Sequence, residues 1–562
     1  MESARVKELA LALTTFPSVT DSPGEGRFAP FLRDMLAAWP CFAQRPGDLR
    51  LLRTLDDGVE RHVLAALARR PGAARGVDAG SFADAGPTVI LTGHYDVVSS
   101  ACYGALEGSA FDPAPLARGL VAELEAGERA GRLGEDEARA LADLRSGEFI
   151  PGRGLLDMKA GLAAGLALLE EFSGGGIEAP GSLLFLAVPD EEGSSHGMLS
   201  AVRLLPELLR EWGARPVAAI NLDASVDQGA GERVRAVFLG SVGKLHPFAL
   251  FVGRPSHAGA PFDGVNPALL AAEFARRIEC SGGLFAPRPG DAREAEPPSP
   301  PTILYHRDLR DHYDVTTPGS VFVSANLLVH DRGPAEALDA VSRIAAEAME
   351  AGLGLLRERA AAYSLASGSE AAIPDRPARV LGWAGLEAAA RAAAPQAYEE
   401  ARAKALAAPD RMEALAALAA EAARLAGLEG PAAVVGLAPP YYPRASLDAA
   451  RDARLLELIR REAAAFEVEG KGAIALRPFF PGISDMSFLY PGDEAQARKL
   501  ASEACPLGLD PLPAGFSCPA VNIGPWGREY HQRLERVHAD YAFRLLPELL
   551  RRVALAFLRE GA

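Results

Sequence analysis

His94 and Asp96 stand two residues apart, and on an extended chain side chains so spaced face the same way. An imidazole and a carboxylate placed like this suit a metal ligand and the group that orients it. Asp157 follows Gly152-Arg153-Gly154 and precedes a helical pattern, where a carboxylate serves as a ligand or as a plain helix cap. Glu191 and Glu192 are adjacent at the end of an apolar run. Two neighbouring carboxylates repel unless a cation or a proton is shared between them, so one can bind metal while the other handles protons. Asp223 closes another apolar run, and burial there is costly without a partner. His531 lies far along the chain, within Gly527-Arg528-Glu529-Tyr530-His531-Gln532-Arg533-Leu534-Glu535.

Each of these residues alone has a bland alternative: a surface hydrogen-bonded pair, a helix cap, a solvated acidic turn. Together they supply two histidines and three carboxylates as ligand candidates (His94, Asp157, Glu192, Asp223 and His531), with Asp96 and Glu191 beside them. Mixed nitrogen and oxygen ligation suits zinc, with cobalt or manganese as alternatives. Two divalent ions sharing one carboxylate would hold a hydroxide between them and lower its pKa.

These residues need a scaffold that brings distant positions together. Thr88-Val89-Ile90-Leu91 runs into His94, Ser182 to Val188 into Glu191-Glu192, and Pro216 to Ile220 into Asp223. Continuous apolar runs predict strands buried on both faces, hence a mostly parallel sheet. Met158 to Phe172 has helical spacing between two such strands, which makes the fold class α/β. In an open parallel sheet, ligands gather beyond the carboxyl ends of the strands. After Gly240 the pattern changes to Phe248–Val252 (strand), Asn266–Ile278 (helix), Ser320–Val329 (strand) and Pro334–Ala361 (long helix), with a Pro/Glu-rich loop over Pro287–Pro301. The expected organisation is a first part of the catalytic domain over 1–238 and an inserted α+β unit over 239–365. A helical insertion over 366–431 follows, and the catalytic domain resumes over 432–562 at the apolar run Ala432–Leu437.

Composition narrows the function. Of 562 residues, 49% are apolar, enough for large cores. Lys and Arg total 58 against 74 Asp and Glu, a net charge of −16, which argues against a nucleic-acid partner. The longest apolar stretch, Ala160–Leu169, is too short to span a membrane. The N-terminus lacks the pattern of a signal peptide, and a cytoplasmic location is expected. Five scattered cysteines without a CxxC pair argue against a disulfide scaffold or thiolate-bound zinc.

In order along the chain, Gly93-His94-Tyr95-Asp96, Gly154-Leu155-Leu156-Asp157-Met158-Lys159-Ala160-Gly161, Asp190-Glu191-Glu192-Gly193-Ser194, Asp223, Gly253-Arg254-Pro255-Ser256-His257-Ala258-Gly259 and His531 with Glu535 resemble the co-catalytic di-zinc exopeptidases and deacylases. That family includes aminoacylase, acetylornithine deacetylase, succinyl-diaminopimelate desuccinylase and peptidase T. The resemblance implies a zinc-exopeptidase-like sheet with an inserted lid or dimerisation domain, and hydrolysis of an amide bond in a small N-acyl amino acid or short peptide. It implies that His94 and Asp223 hold one metal, that Glu192 and His531 hold the other, and that Asp157 bridges them. Asp96 would orient His94, and Glu191 would be the general base. His257 would stabilise the oxyanion, often from the partner subunit of a homodimer.

Two segments depart from the family. Ser487 in Ser484-Asp485-Met486-Ser487-Phe488 stands where many members carry an arginine that grips a substrate carboxylate, and His531-Gln532-Arg533-Leu534-Glu535 replaces His-x-Pro-Asn-Glu. With the extra helical segment, these departures resemble the RocB branch, which implies a link to arginine or amino-acid catabolism. The competing expectation is a catalytically silent relative that binds a metabolite and regulates.

Overall fold

Apolar side chains at successive positions of a strand are all buried only in a sheet covered on both sides, and that is how the run around Ile90 and the run Ser182–Val188 are used. In the computed structural model they form adjacent parallel strands, Gly86–His94 and Ser182–Val188. The structure describes residues 2–69, 86–226, 235–285, 299–310, 312–330, 332–492, 494–508 and 516–560.

The chain divides into two units. The first comprises Met1–Ser241, Ala445–Pro491 and Pro513–Ala562. Its eight-stranded sheet runs in the order Leu49–Arg53, His62–Ala68, Ser182–Val188, Gly86–His94, Ala214–Asn221, Ala520–Asn522, Arg235–Phe238 and Ile474–Arg477. The three strands leading to the acidic and imidazole residues are parallel neighbours at its centre, so their carboxyl ends lie side by side. The helix Ala160–Ser173 is buried along nearly its whole length. It packs between the helices Ser3–Thr14 and Leu546–Glu560. Gly161 permits its close seating: a Cβ there would lie 2.1 Å from the Leu222 carbonyl oxygen.

The second unit comprises Val242–Arg444 and Gly492–Leu512. Its sheet contains Gly243–Leu245, Pro247–Val252, Thr302–Asp308, Ser320–Val329, Ala432–Leu437 and Arg379–Gly382. Alternation along Pro247–Val252 sends Ala249 and Phe251 to one face, where they join Leu270 and Phe274 of the helix Pro267–Ile278 and Val341 and Ala345 of the helix Pro334–Ser367. Phe248 and Leu250 take the other face, beneath Trp383, Tyr398 and Leu415. Those three come from the helices Trp383–Ala393, Pro395–Leu406 and Arg411–Leu425.

The strand Ala432–Leu437, expected where the catalytic domain resumes, instead pairs antiparallel with Pro247–Val252 inside the second unit. The chain returns to the first unit at Ala445. Its apolar run specifies burial on both faces but not the sheet that provides it. The helical segment before it packs as the cover of that sheet. Residues 287–298 of the Pro/Glu-rich loop lie outside the described residues. All five cysteines are free thiols, and no helix among the described residues is long and apolar enough to cross a membrane.

Candidate metal centre

Within the first unit, His94, Glu192 and Asp223, at or just past strand ends, meet Asp157 and His531 from two loops in one cluster. His94 Nε2 lies 3.0 Å from Asp157 Oδ1 and 3.6 Å from Asp223 Oδ1. His531 Nε2 lies 3.1 Å from Asp157 Oδ2 and 2.8 Å from Glu192 Oε1. The donors therefore sort into two halves, one around each histidine, and Asp157 offers a separate oxygen to each. One ligand atom each from His94, Asp157 and Glu192 fall within 4.8 Å of one another.

A divalent ion fits this set. Tetrahedral ligation with bonds of about 2.1 Å puts neighbouring donor atoms roughly 3.4 Å apart, and the donors here stand 2.8–3.6 Å apart. His531 Nε2 and buried Glu192 Oε1 lie 2.8 Å apart, close enough to be donors to one ion. Four of the five residues are largely buried; His531 is 40% exposed, which leaves the cluster open to solvent on that side.

The electrostatics show carboxylates that need cations. Burial and repulsion by Asp157 raise the pKa of Glu192, and burial and Asp157 do the same to Asp223. Burial opposes ionisation of His531, yet hydrogen bonds to Asp157 and Glu192 push it up to about 10. His94 is raised well above its ordinary value against the effect of burial, by Asp157, Asp223 and Asp96. Asp157 is held below the usual carboxylate range by His531 and His94, although burial works against this.

Glu191 turns its backbone N–H to Asp96 Oδ1 at 3.1 Å, and Glu192 donates to Asp96 Oδ2 at 3.2 Å. Thr20 Oγ1 also donates to Asp96 Oδ2, at 3.0 Å. His94 Nδ1 is nearest the Asp96 backbone carbonyl, 3.0 Å away, with the carboxylate at 3.5 Å. Asp96 therefore holds the glutamate pair with its side chain and meets His94 chiefly through its main chain. The turn that presents this pair begins at Asp190, whose φ of 66° is unusual for a non-glycine residue. Buried Arg61 Nη1, 3.1 Å away, and His196 Nδ1, 2.6 Å away, bind the Asp190 carboxylate and hold the turn. His196 thus serves the turn as a structural partner.

The cluster also depends on Arg153 and Glu535, whose positions within quoted motifs did not reveal this role. Their buried side chains pair through Arg153 Nη1 and Glu535 Oε2. Glu535 Oε1 accepts from Gly154 N–H at 2.9 Å, and Arg153 Nη2 donates to the carbonyl of His531 at 3.3 Å. This pair ties the loop of Asp157 to the loop of His531, whose own φ is 65°. The usable signal was the recurrence of a charged residue in each of two ligand loops. Asp485 is a further buried acid, pushed up to about 8 by burial against the opposing pull of His94. His257 belongs to the second unit, on an exposed loop where its Nδ1 accepts from Gly259 N–H at 3.0 Å.

A parallel sheet whose central strands lead to imidazoles and carboxylates presents a candidate metal site, and the family match makes the chain a hydrolytic enzyme. The chain belongs to Peptidase family M20/M25/M40, whose model matches residues 136–498. It is similar to the uncharacterized protein YqjN of Bacillus subtilis, 29% identical over 98% of this chain and 96% of that protein. Protein RocB of the same organism is 28% identical over 99% of this chain and 95% of its own length. Among solved structures, a tripeptidase from Staphylococcus aureus aligns with a TM-score of 0.49 at 15% identity, covering 99% of each chain.

Proposed function

We propose that this hydrolase cleaves the amide bond of a small N-acyl amino acid or short peptide, using two divalent metal ions held by the cluster. The observation that carries the reading is Asp157, with one oxygen toward each histidine. His94 and Asp223 would hold one ion, Glu192 and His531 the other, and Asp157 both; zinc suits the donors best, with cobalt or manganese as alternatives. When bound, such ions polarise a carbonyl oxygen and make a coordinated water acidic.

The chain's own residues do the remaining work. Glu191 moves the proton. Burial raises its pKa well above the ordinary carboxylate value, and Asp223, Asp485 and Glu192 repel its charge, against the pull of His94. Once ionised, a carboxylate in this position takes a proton from an attacking water and releases it to the leaving nitrogen. Because its amide is fixed on Asp96, Glu191 stays beside the ligands without being one of them. His257 is assigned to the oxyanion of the tetrahedral intermediate, contributed across a homodimer. The sequence resemblance extends the proposal to arginine or other amino-acid catabolism in the cytoplasm.

Glu191→Gln tests the reading: the variant should keep its metal content by elemental analysis and lose about 10²–10⁴-fold in kcat on an N-acyl amino acid or dipeptide. Full activity in that variant rejects the assigned base. Metal bound without hydrolysis of any such amide by the native protein favours a regulator instead.

A further inference from the structure

The strand Ala214–Asn221 pairs parallel with Ala520–Asn522, and Asn221 stands beside Asn522 where that pairing ends. Through the turn that follows, main chain mostly meets main chain. Ile523 N–H donates to the Asn221 carbonyl, Leu222 N–H to the Thr92 carbonyl and Ser225 N–H to the Pro525 carbonyl, each at 2.8 Å. Asp223 is held differently. Its N–H donates to Asn522 Oδ1 at 3.0 Å, and its carbonyl accepts from Asn522 Nδ2 at 2.8 Å.

A side-chain carboxamide offers one acceptor oxygen beside an N–H donor, as a peptide unit does. Asn522 therefore carries the pairing one residue further with its side chain, to the residue that follows the strand by two. Only one orientation of the amide serves both bonds, because the Asp223 N–H can only donate and its carbonyl can only accept. Asn522 is 1% exposed and Asp223 6%, so both bonds lie away from solvent. The chain after Asn522 crosses close by: a Cβ at Gly524 would lie 1.9 Å from the Asp223 carbonyl oxygen. With its main chain fixed, Asp223 turns its carboxylate to the cluster, where Oδ1 accepts from Ala224 N–H at 2.7 Å and lies 3.6 Å from His94 Nε2.

We propose that Asn522 is a positioning residue for Asp223, fixing that carboxylate as a ligand of the ion it shares with His94. The role rests on the two-ion reading above and deepens it. Without the amide, the Asp223 N–H and carbonyl are left buried and unpaired, which is costly. The turn then shifts to find other partners and takes the carboxylate away from His94. Glu192 and His531 come from other turns, and both Asn522 bonds go to Asp223. The loss is therefore one-sided, whereas a general loosening of the sheet would weaken both halves of the cluster.

Zinc titration of the full-length protein against a competing chelator, native and Asn522→Ala, tests the role, with zinc-edge diffraction to locate each ion. The native protein should take up two ions. Asn522→Ala should lose about 10–100-fold in affinity for one of them, the one beside His94 and Asp223, and keep its affinity for the other. If Asn522→Ala does not fold, the isosteric Asn522→Asp, which keeps an acceptor for the Asp223 N–H and replaces the amide donor with a carboxylate oxygen, should show the same one-sided loss. Unchanged affinities, or an equal fall for both ions, overturn the role of Asn522 and leave the two-ion reading standing. A native protein with no ion at Asp223 overturns both.

Discussion

Asp157 sits between two imidazoles, 3.0 Å from one and 3.1 Å from the other through different oxygens. A carboxylate placed like this is useful only if both histidines stay where they are, and Arg153 and Glu535 keep them there. Arg153 reaches the His531 carbonyl and Glu535 the Gly154 amide, so each ligand loop is tied to the other by a buried charge pair. Replacing Arg153 with Met strands the Glu535 carboxylate and frees the His531 loop. Partners of this kind typically contribute about 10–100-fold to metal affinity. Chelator competition should show a loss of that size in Arg153→Met, with part restored in Arg153→Lys; native affinity in the Met variant contradicts the role. The candidate ligands were legible in the sequence only as a set, since His94, Asp157 and His531 each have an ordinary reading in isolation. Arg153 was not legible, because a charged residue between two glycines reads as a turn until the chain brings Glu535 to it.

At the scale of elements, three parallel strands bring His94, Glu192 and Asp223 together and one helix braces them. The apolar runs ending at His94, Glu191 and Asp223 were readable as buried strands because uninterrupted hydrophobicity leaves a segment few other places to go. The sheet to which Ala432–Leu437 belongs was not readable, since pairing partners are a long-range property and the run itself is the same in either sheet. Gly161 lies where the helix Ala160–Ser173 meets the end of the Asp223 strand. Gly161→Ala would press a methyl group into the Leu222 carbonyl, at 2.1 Å before relaxation, and must shift the helix or the strand. Overpacking of this kind costs about 1–3 kcal/mol. Chemical denaturation should show that loss, and metal affinity should fall with it because Asp223 moves; a variant as stable as the native protein contradicts the packing described.

At the scale of the molecule, stability and assembly give separate handles. His246 is held at about 4 in the folded second unit, against an ordinary value of 6.5. Below pH 6.5 the unfolded chain takes up a proton that the folded chain refuses until about pH 4, so stability falls as pH drops through that window. The full effect is about 3 kcal/mol at most. The fall between pH 6.5 and pH 4 should be smaller in His246→Gln than in the native protein; an identical fall contradicts the burial of a neutral imidazole. Activity recovered on mixing Glu191→Gln with His257→Ala subunits is expected if His257 serves a neighbouring subunit, and no recovery after demonstrated subunit exchange contradicts that assignment.

The cluster itself is tested most directly by crystals of the zinc-loaded protein measured at the zinc absorption edge. Two anomalous peaks are expected, one beside His94 and Asp223 and the other beside His531 and Glu192, with Asp157 between them. A single peak, or none touching Asp157, would contradict a two-ion centre.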